Sequence, residues 1–325
     1  MNARCVRRFA ILSLLACAAA AHAADFDLQG HRGTRGNAPE NTIAAFDKAL
    51  AIGVTTLEMD AAITADGVVV VSHDPALTPA ITRDASGQWL KERGPLIRSL
   101  TLAQLQAYDV GRIDPASDYA RQFPAQQPRD GERLPTLASV FARVRALGAE
   151  HVRFDIETKI TPTAPEETLA PEPFVRALLA VIREAGMTER VMIQSFDWRT
   201  LKLVQQLQPG MQTVYLSLRN RGNDTLADGV WTAGLKARDF PSPGHMVKAL
   251  GGTTWSPNYG SLTREELQAA QALGVKVIPW TVNDPAAAGK LLDWGVDGII
   301  SDYPDRIRSL MAERGMPLPP VVAPR

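Results

Sequence analysis

Short apolar runs alternate along most of this chain with stretches whose apolar residues recur every three or four positions. The runs predict strands at Phe26–Gly30, Val54–Ile63, Val68–Ser72, His151–Thr158, Val191–Phe196, Thr213–Leu218, Thr253–Ser256, Lys276–Val282 and Gly298–Ser301. Helical periodicity lies between most of them. Pro39 to Leu50 places proline in a first turn, where its missing N–H costs nothing, and Leu262 to Leu273 stops at Gly274. Strand–helix units repeated in this way predict a parallel α/β architecture. Two stretches interrupt the repeat. Residues from about Pro75 to Pro135 are rich in proline, glycine and charge, with only Thr101 to Tyr108 helical in pattern, and Asn220 to Pro243 is irregular. A long irregular loop in a compact fold is commonly a functional element or an inserted lobe.

Nine strands exceed an eight-stranded barrel by one, and the surplus lies at Val54–Ile63 and Val68–Ser72. Only Thr64-Ala65-Asp66-Gly67 joins them, too short for a parallel crossover, so they form an antiparallel hairpin. A turn centred on Asp66-Gly67 sets Asp60 opposite His73, and one centred on Ala65-Asp66 sets Glu58 there. Either register places His73 on the sheet face of Glu58 and Asp60, because side chains alternate. A three-residue loop would turn His73 to the other face.

Composition adds a core and a leader. With 45% apolar and 22% charged residues, the 325-residue chain can bury a full interior without cross-links. Basic and acidic residues balance at 35 each, which argues against a nucleic-acid or anionic-membrane footprint. Arg4, Arg7 and Arg8, the apolar Phe9–Ala20 and the small-x-small Ala21-His22-Ala23 read as a secretory signal peptide, cut after Ala23. Residues 24–325 are then the mature domain, periplasmic or secreted and without stable membrane insertion. The cut removes Cys5 and Cys17, the two cysteines, so no disulfide or thiol chemistry remains. It also removes three arginines and no acid, leaving 32 basic against 35 acidic residues.

In parallel barrels reactive groups gather at the C-terminal strand ends. Those ends carry His31-Arg32-Gly33, Glu58 and Asp60, His73-Asp74, Asp155, Glu157 and Lys159, Ser195-Phe196, Trp280-Thr281-Val282-Asn283, and Asp302. Several inward carboxylates cannot all stay ionised in a barrel without positive charge among them. Lys159 neutralises one; the rest fit a hard divalent cation with oxygen ligands, Ca²⁺ or Mg²⁺. Two imidazoles beside such a site suit a general base and a general acid. Arg32 offers a planar fork to a phosphate oxygen. His151 and His245 fall away from these ends and read as surface or packing residues. The set describes phosphodiester cleavage. A glycosidase using Glu58 and Glu157 as its carboxylate pair would leave both histidines and Arg32 without work.

These segments, together with Pro39-Glu40-Asn41-Thr42, Asp66-Gly67, Glu157-Thr158-Lys159 and Asp297-Gly298 through Ser301-Asp302-Tyr303-Pro304, resemble the glycerophosphodiester phosphodiesterase family over nearly all of the mature chain. The resemblance implies a TIM-type (β/α)8 barrel with a small insertion after the second-strand hairpin, at about residues 75–135. It implies one divalent cation on Glu58, Asp60 and Glu157, His31 as base, His73 as acid, and Arg32 and Lys159 on the phosphate. Glu40, Asn41 and Asp155 would orient or support the site, and Trp280 would wall the glycerol pocket. The implied substrate is a small glycerophosphodiester, cleaved to glycerol 3-phosphate and an alcohol. The related alternative, a barrel enzyme for lysophospholipids or sphingolipids, needs an apolar surface on the insertion, and Arg83 to Arg98 holds one Trp and many charges.

Overall fold

A computed structural model of the chain describes residues 26–323; the expected signal peptide and both cysteines lie outside the described residues. Eight parallel strands are built in: β1 (Asp27–Gly30), β2 (Thr56–Ile63), β4 (Arg153–Thr158), β5 (Val191–Ser195), β6 (Gln212–Ser217), β7 (Thr254–Pro257), β8 (Lys276–Val277) and β9 (Gly298–Ser301). They pair in the order β8-β7-β6-β5-β4-β2-β1-β9, and β3 (Val69–Val71) runs antiparallel on β2. The remaining seam is joined by backbone bonds from Asp297 to Val277 (3.0 Å), Ile300 to Pro279 (3.0 Å) and Val282 to Ile300 (2.9 Å). This is a (β/α)8 barrel.

Strands buried on both faces explain the apolar runs. Outward residues such as Leu57, Met59, Phe154 and Ile156 meet the helices in one continuous core, where Phe154 packs edge-to-face on Phe141 of helix α2 (Leu137–Ala146) at 4.9 Å. Their neighbours Glu58, Asp60, Asp155 and Glu157 therefore point into the barrel. Burying acids there is what gives the interior its chemistry.

Three local expectations change. Helix α1 runs Ile43–Ile52 and starts at Thr42, whose hydroxyl accepts from the Ala45 N–H, so the helix does not begin at Pro39. Asn41 sits at φ +56, which no helix running through Pro39–Thr42 can contain. The strand expected over Lys276–Val282 pairs as a strand only at Lys276–Val277, before Pro279, which has no N–H to donate. The hairpin register is neither of the two expected. Ala61 faces Val71 and Ile63 faces Val69, so Ala65, Asp66 and Gly67 form a three-residue loop closed by Gly67 at φ +79. Alternation would then turn His73 away. It does not, because pairing stops at Val71; Ser72 still bonds to the Asp60 carbonyl (2.9 Å), but the chain bends over the barrel mouth immediately after.

Between β3 and α2 the chain forms a small lobe. Leu77, Ile97, Leu105, Val110 and Leu134 pack onto Ala62 and Val70 of the hairpin, a cluster separate from the barrel core. Its short helices are Leu102–Leu105, started by a Thr101–Gln104 capping box, and Asp118–Gln122.

Candidate active site

The turn after β1 is shaped by two glycines. A Cβ on Gly30 would lie 2.0 Å from the Gly33 carbonyl oxygen, and Gly33 at φ +82 would press one onto Ala45 at 2.8 Å. This tight turn puts Arg32 at φ +50 and aims its backbone N–H at Glu58 Oε2 (2.6 Å). Gln194 on β5 donates to the other oxygen, Oε1, at 2.7 Å. Glu58 is thereby held at both ends.

Glu58, Asp60 and Glu157 each present a carboxylate oxygen to one point, all within 4.8 Å of one another and all buried. Asp60 accepts from the Asn41 amide (2.9 Å) through Oδ2, while its Oδ1 is buried without a hydrogen-bond partner. Lys159 reaches Glu157 at 3.1 Å and Asp60 at 3.9 Å. Burial, then the Asp60 charge, pushes Glu58 well above the usual carboxylate range. Burial lifts Glu157 to about 7 against the pull of Lys159. Burial would raise Asp60 as well, but His73, Arg32 and Lys159 together hold it low. Three crowded acids with an unpaired inward oxygen make an all-oxygen set that can hold a divalent metal ion.

Two imidazoles flank the triad. His31 Nδ1 lies 2.6 Å from Asp302 Oδ1, and His31 Nε2 lies 3.9 Å from Glu58. A carboxylate can only accept, so the ring proton is on Nδ1 and Nε2 faces the site. Burial lowers the His31 pKa in spite of Asp302. Asp302 is itself gripped by Arg35 (2.8 and 3.1 Å) and Asn283 (2.7 Å). On the other side His73 Nδ1 meets Asp74 at 2.9 Å. Burial, with Arg32 and Lys159 nearby, takes His73 down to about 4. Arg32 extends to Glu40 (2.6 Å) and lies 3.4 Å from Asp60.

A cleft of about 120 Å³ opens on this cluster, lined by His31, Arg32, Glu58, His73, Glu157 and Lys159 and walled by Phe196, Leu216 and Trp280. Trp280 stacks edge-on against Phe196 at 5.3 Å and donates its indole N–H to the Ser256 carbonyl. Asp155, by contrast, lies outside the triad. It is paired in register with Glu58, and burial and the Asp27 and Glu157 charges push it well above the usual carboxylate range. Among the described residues neither of its oxygens lies within hydrogen-bond geometry of a donor.

Sequence reasoning missed several members of this site. Asp302 and Asn283 stood among the strand-end residues without a role. Gln194, Arg35 and Tyr119 carried no signal, since each contributes through a contact distant in the chain.

The glycerophosphoryl diester phosphodiesterase family matches residues 31–306, nearly the whole barrel with its site. The chain belongs to that family. A glycerophosphodiester phosphodiesterase of Bacillus subtilis is 32% identical over 280 residues, covering 85% of this chain and 83% of the relative. One from Caldanaerobacter subterraneus is 28% identical over 289 residues, 88% of this chain and 97% of its own. A crystal structure from Silicibacter pomeroyi with the family name shares 34% identity and a TM-score of 0.80, over 90% of this chain and 94% of that one. The protein is thus a family phosphodiesterase on a TIM barrel, and among the described residues no helix is long and apolar enough to cross a membrane.

Proposed function

We propose that this phosphodiesterase hydrolyses glycerophosphodiesters to glycerol 3-phosphate and a free alcohol, with His31 as general base, His73 as general acid and a divalent cation, Ca²⁺ or Mg²⁺, on Glu58, Asp60 and Glu157. The observation that carries it is the pair of imidazoles, each anchored at Nδ1 by its own carboxylate, lining one cleft with Glu58 and Glu157 of the buried triad. A bound cation there neutralises the acids and polarises the phosphoryl group.

Arg32 and Lys159 bind the phosphate oxygens, the first as a fork and the second as a point charge. Trp280 walls the glycerol end. Neutral His31 takes the proton of the attacking hydroxyl on Nε2, either water or the glycerol 2-hydroxyl by way of a cyclic phosphate. His73 must then be protonated, although it is neutral in the free protein. Burial is the main reason it resists charge, and Arg32 and Lys159 add repulsion; an anionic diester between them offsets the repulsion and so favours the protonated ring. Glu40, Asn41 and Asp155 support the site from behind: Glu40 on Arg32, Asn41 on Asp60, and Asp155 two residues before Glu157 on the same strand, in register with Glu58. The basic, apolar and small-residue leader supports export, to the periplasm or outside the cell, of a domain spanning residues 24–325.

The test is glycerol 3-phosphate release from glycerophosphodiesters of several alcohols, with chelator and with each metal restored. Activity should vanish with chelator and return with Ca²⁺ or Mg²⁺. No release from any of them, or full turnover in chelator, would overturn the reading.

A further inference from the structure

The lobe packs the Phe123 ring on Arg35 at 4.7 Å and supplies one hydroxyl to the buried network, that of Tyr119. This tyrosine stands on the short helix Asp118–Gln122, with its ring edge-on to Phe123 at 5.0 Å. Its hydroxyl donates to Glu40 Oε2 and accepts from Arg35 Nη1 at 3.2 Å. Glu40 Oε1 in turn accepts from Arg32 at 2.6 Å, and Arg35 holds Asp302 with its other nitrogens. The hydroxyl thus closes a chain from His31 and Asp302 through Arg35 and Glu40 to Arg32. Burial and the Glu40 charge raise the phenol pKa, so the group keeps the proton it donates.

We infer that Tyr119 is a positioning residue through which the inserted lobe sets the pose of Arg32 on the phosphate. This rests on the reading of Arg32 as a phosphate ligand. The physical reason is competition for one carboxylate. Arg32 is bonded to Glu40 and Arg35 acts on it through its charge, and the tyrosine hydroxyl stands between Arg35 and Glu40, satisfying both. Without it, a buried carboxylate oxygen and a guanidinium N–H lose their partners together, and each cation can draw Glu40 toward itself. Glu40 turned to Arg35 leaves Arg32 free to fold onto Asp60, already 3.4 Å from its Nε.

The test compares wild type, Y119F, E40Q, the double variant and Q126A in the full chain with Ca²⁺ and Mg²⁺ supplied. Gln126 donates to the Arg35 carbonyl at 2.8 Å, a lobe contact outside the relay of side chains. Y119F should raise both KM and the Kd of inorganic phosphate about tenfold, a value typical of losing a hydrogen bond to a charged group, with kcat within about threefold. In the E40Q background the same change should add less than about threefold, and Q126A should bind phosphate as wild type does. Wild-type phosphate binding by Y119F, an undiminished effect beside E40Q, or an equal loss in Q126A would each overturn the inference. The phosphate titration needs no turnover. If the wild type binds phosphate but releases no glycerol 3-phosphate, the proposed activity falls while Tyr119 is still judged on binding.

Discussion

The two histidines are held by opposite kinds of carboxylate. Asp302, 1% exposed, receives His31, two nitrogens of Arg35 and the Asn283 amide, and its backbone N–H is fixed by Asn283 as well. Asp74, 45% exposed, makes one side-chain bond, to His73. The first arrangement locks a ring in one tautomer and one pose, as the proposed base role requires. The second leaves a ring at the edge of a lobe, able to gain and release a proton as charge arrives and leaves. The difference teaches that anchoring a histidine and rigidifying it are separate things.

The comparison can be broken most sharply at the rings. His31→Ala and His73→Ala should each lower kcat by about 10²–10⁴ with unchanged circular dichroism. Near-native turnover in both would remove the base and acid assignments together. Next come the anchors: Asp302→Asn should cost about 10²–10³ in kcat, because the amide no longer fixes the Nδ1–H tautomer, whereas Asp74→Asn should cost about tenfold or less. Equal losses would show that the exposed anchor is as demanding as the buried one.

Stability separates the anchors further. Asp302→Ala strands buried Arg35 without its partner and should destabilise the fold by about 3–5 kcal/mol in urea titration, while Asp74→Ala should move the midpoint little. Asp302 is held below the usual carboxylate range, since His31 and Arg35 outweigh burial. Its contribution is therefore present above the unfolded carboxylate pKa, about 4, and is lost as pH falls through the lowered folded value. Acid unfolding followed by fluorescence should be flatter in Asp302→Asn.

The smallest effect concerns the triad between the two rings. With Glu157 near 7 in the free protein, cation binding below that pH must displace a proton. Calorimetric affinity for Ca²⁺ or Mg²⁺ should weaken about tenfold or more per pH unit below 7, since Glu58, also raised by burial, must give up a proton as well. A flat profile would mean that Glu157 is not a ligand.

Much of the site was legible from local pattern. Glu58 and Asp60, and likewise Asp155, Glu157 and Lys159, share a face at alternate positions, and burial of both strands directs them inward. His73 reached the site for a different reason than alternation supplies, because the strand ends at Val71 before periodicity can act on it. A loop of three residues rather than two is settled by turn geometry and by the packing of the hairpin on the lobe, which a local string of residues does not encode.

By itself the sequence determined which chemical groups stand at the strand ends, because period and polarity are local properties of a chain. The tertiary structure alone decided their partners. Asp302 meets His31 across 271 positions, Gln194 meets Glu58 across 136, and Tyr119 meets Glu40 across 79. Those pairings exist only because the barrel closes and the lobe docks, and closure is a property of the whole chain.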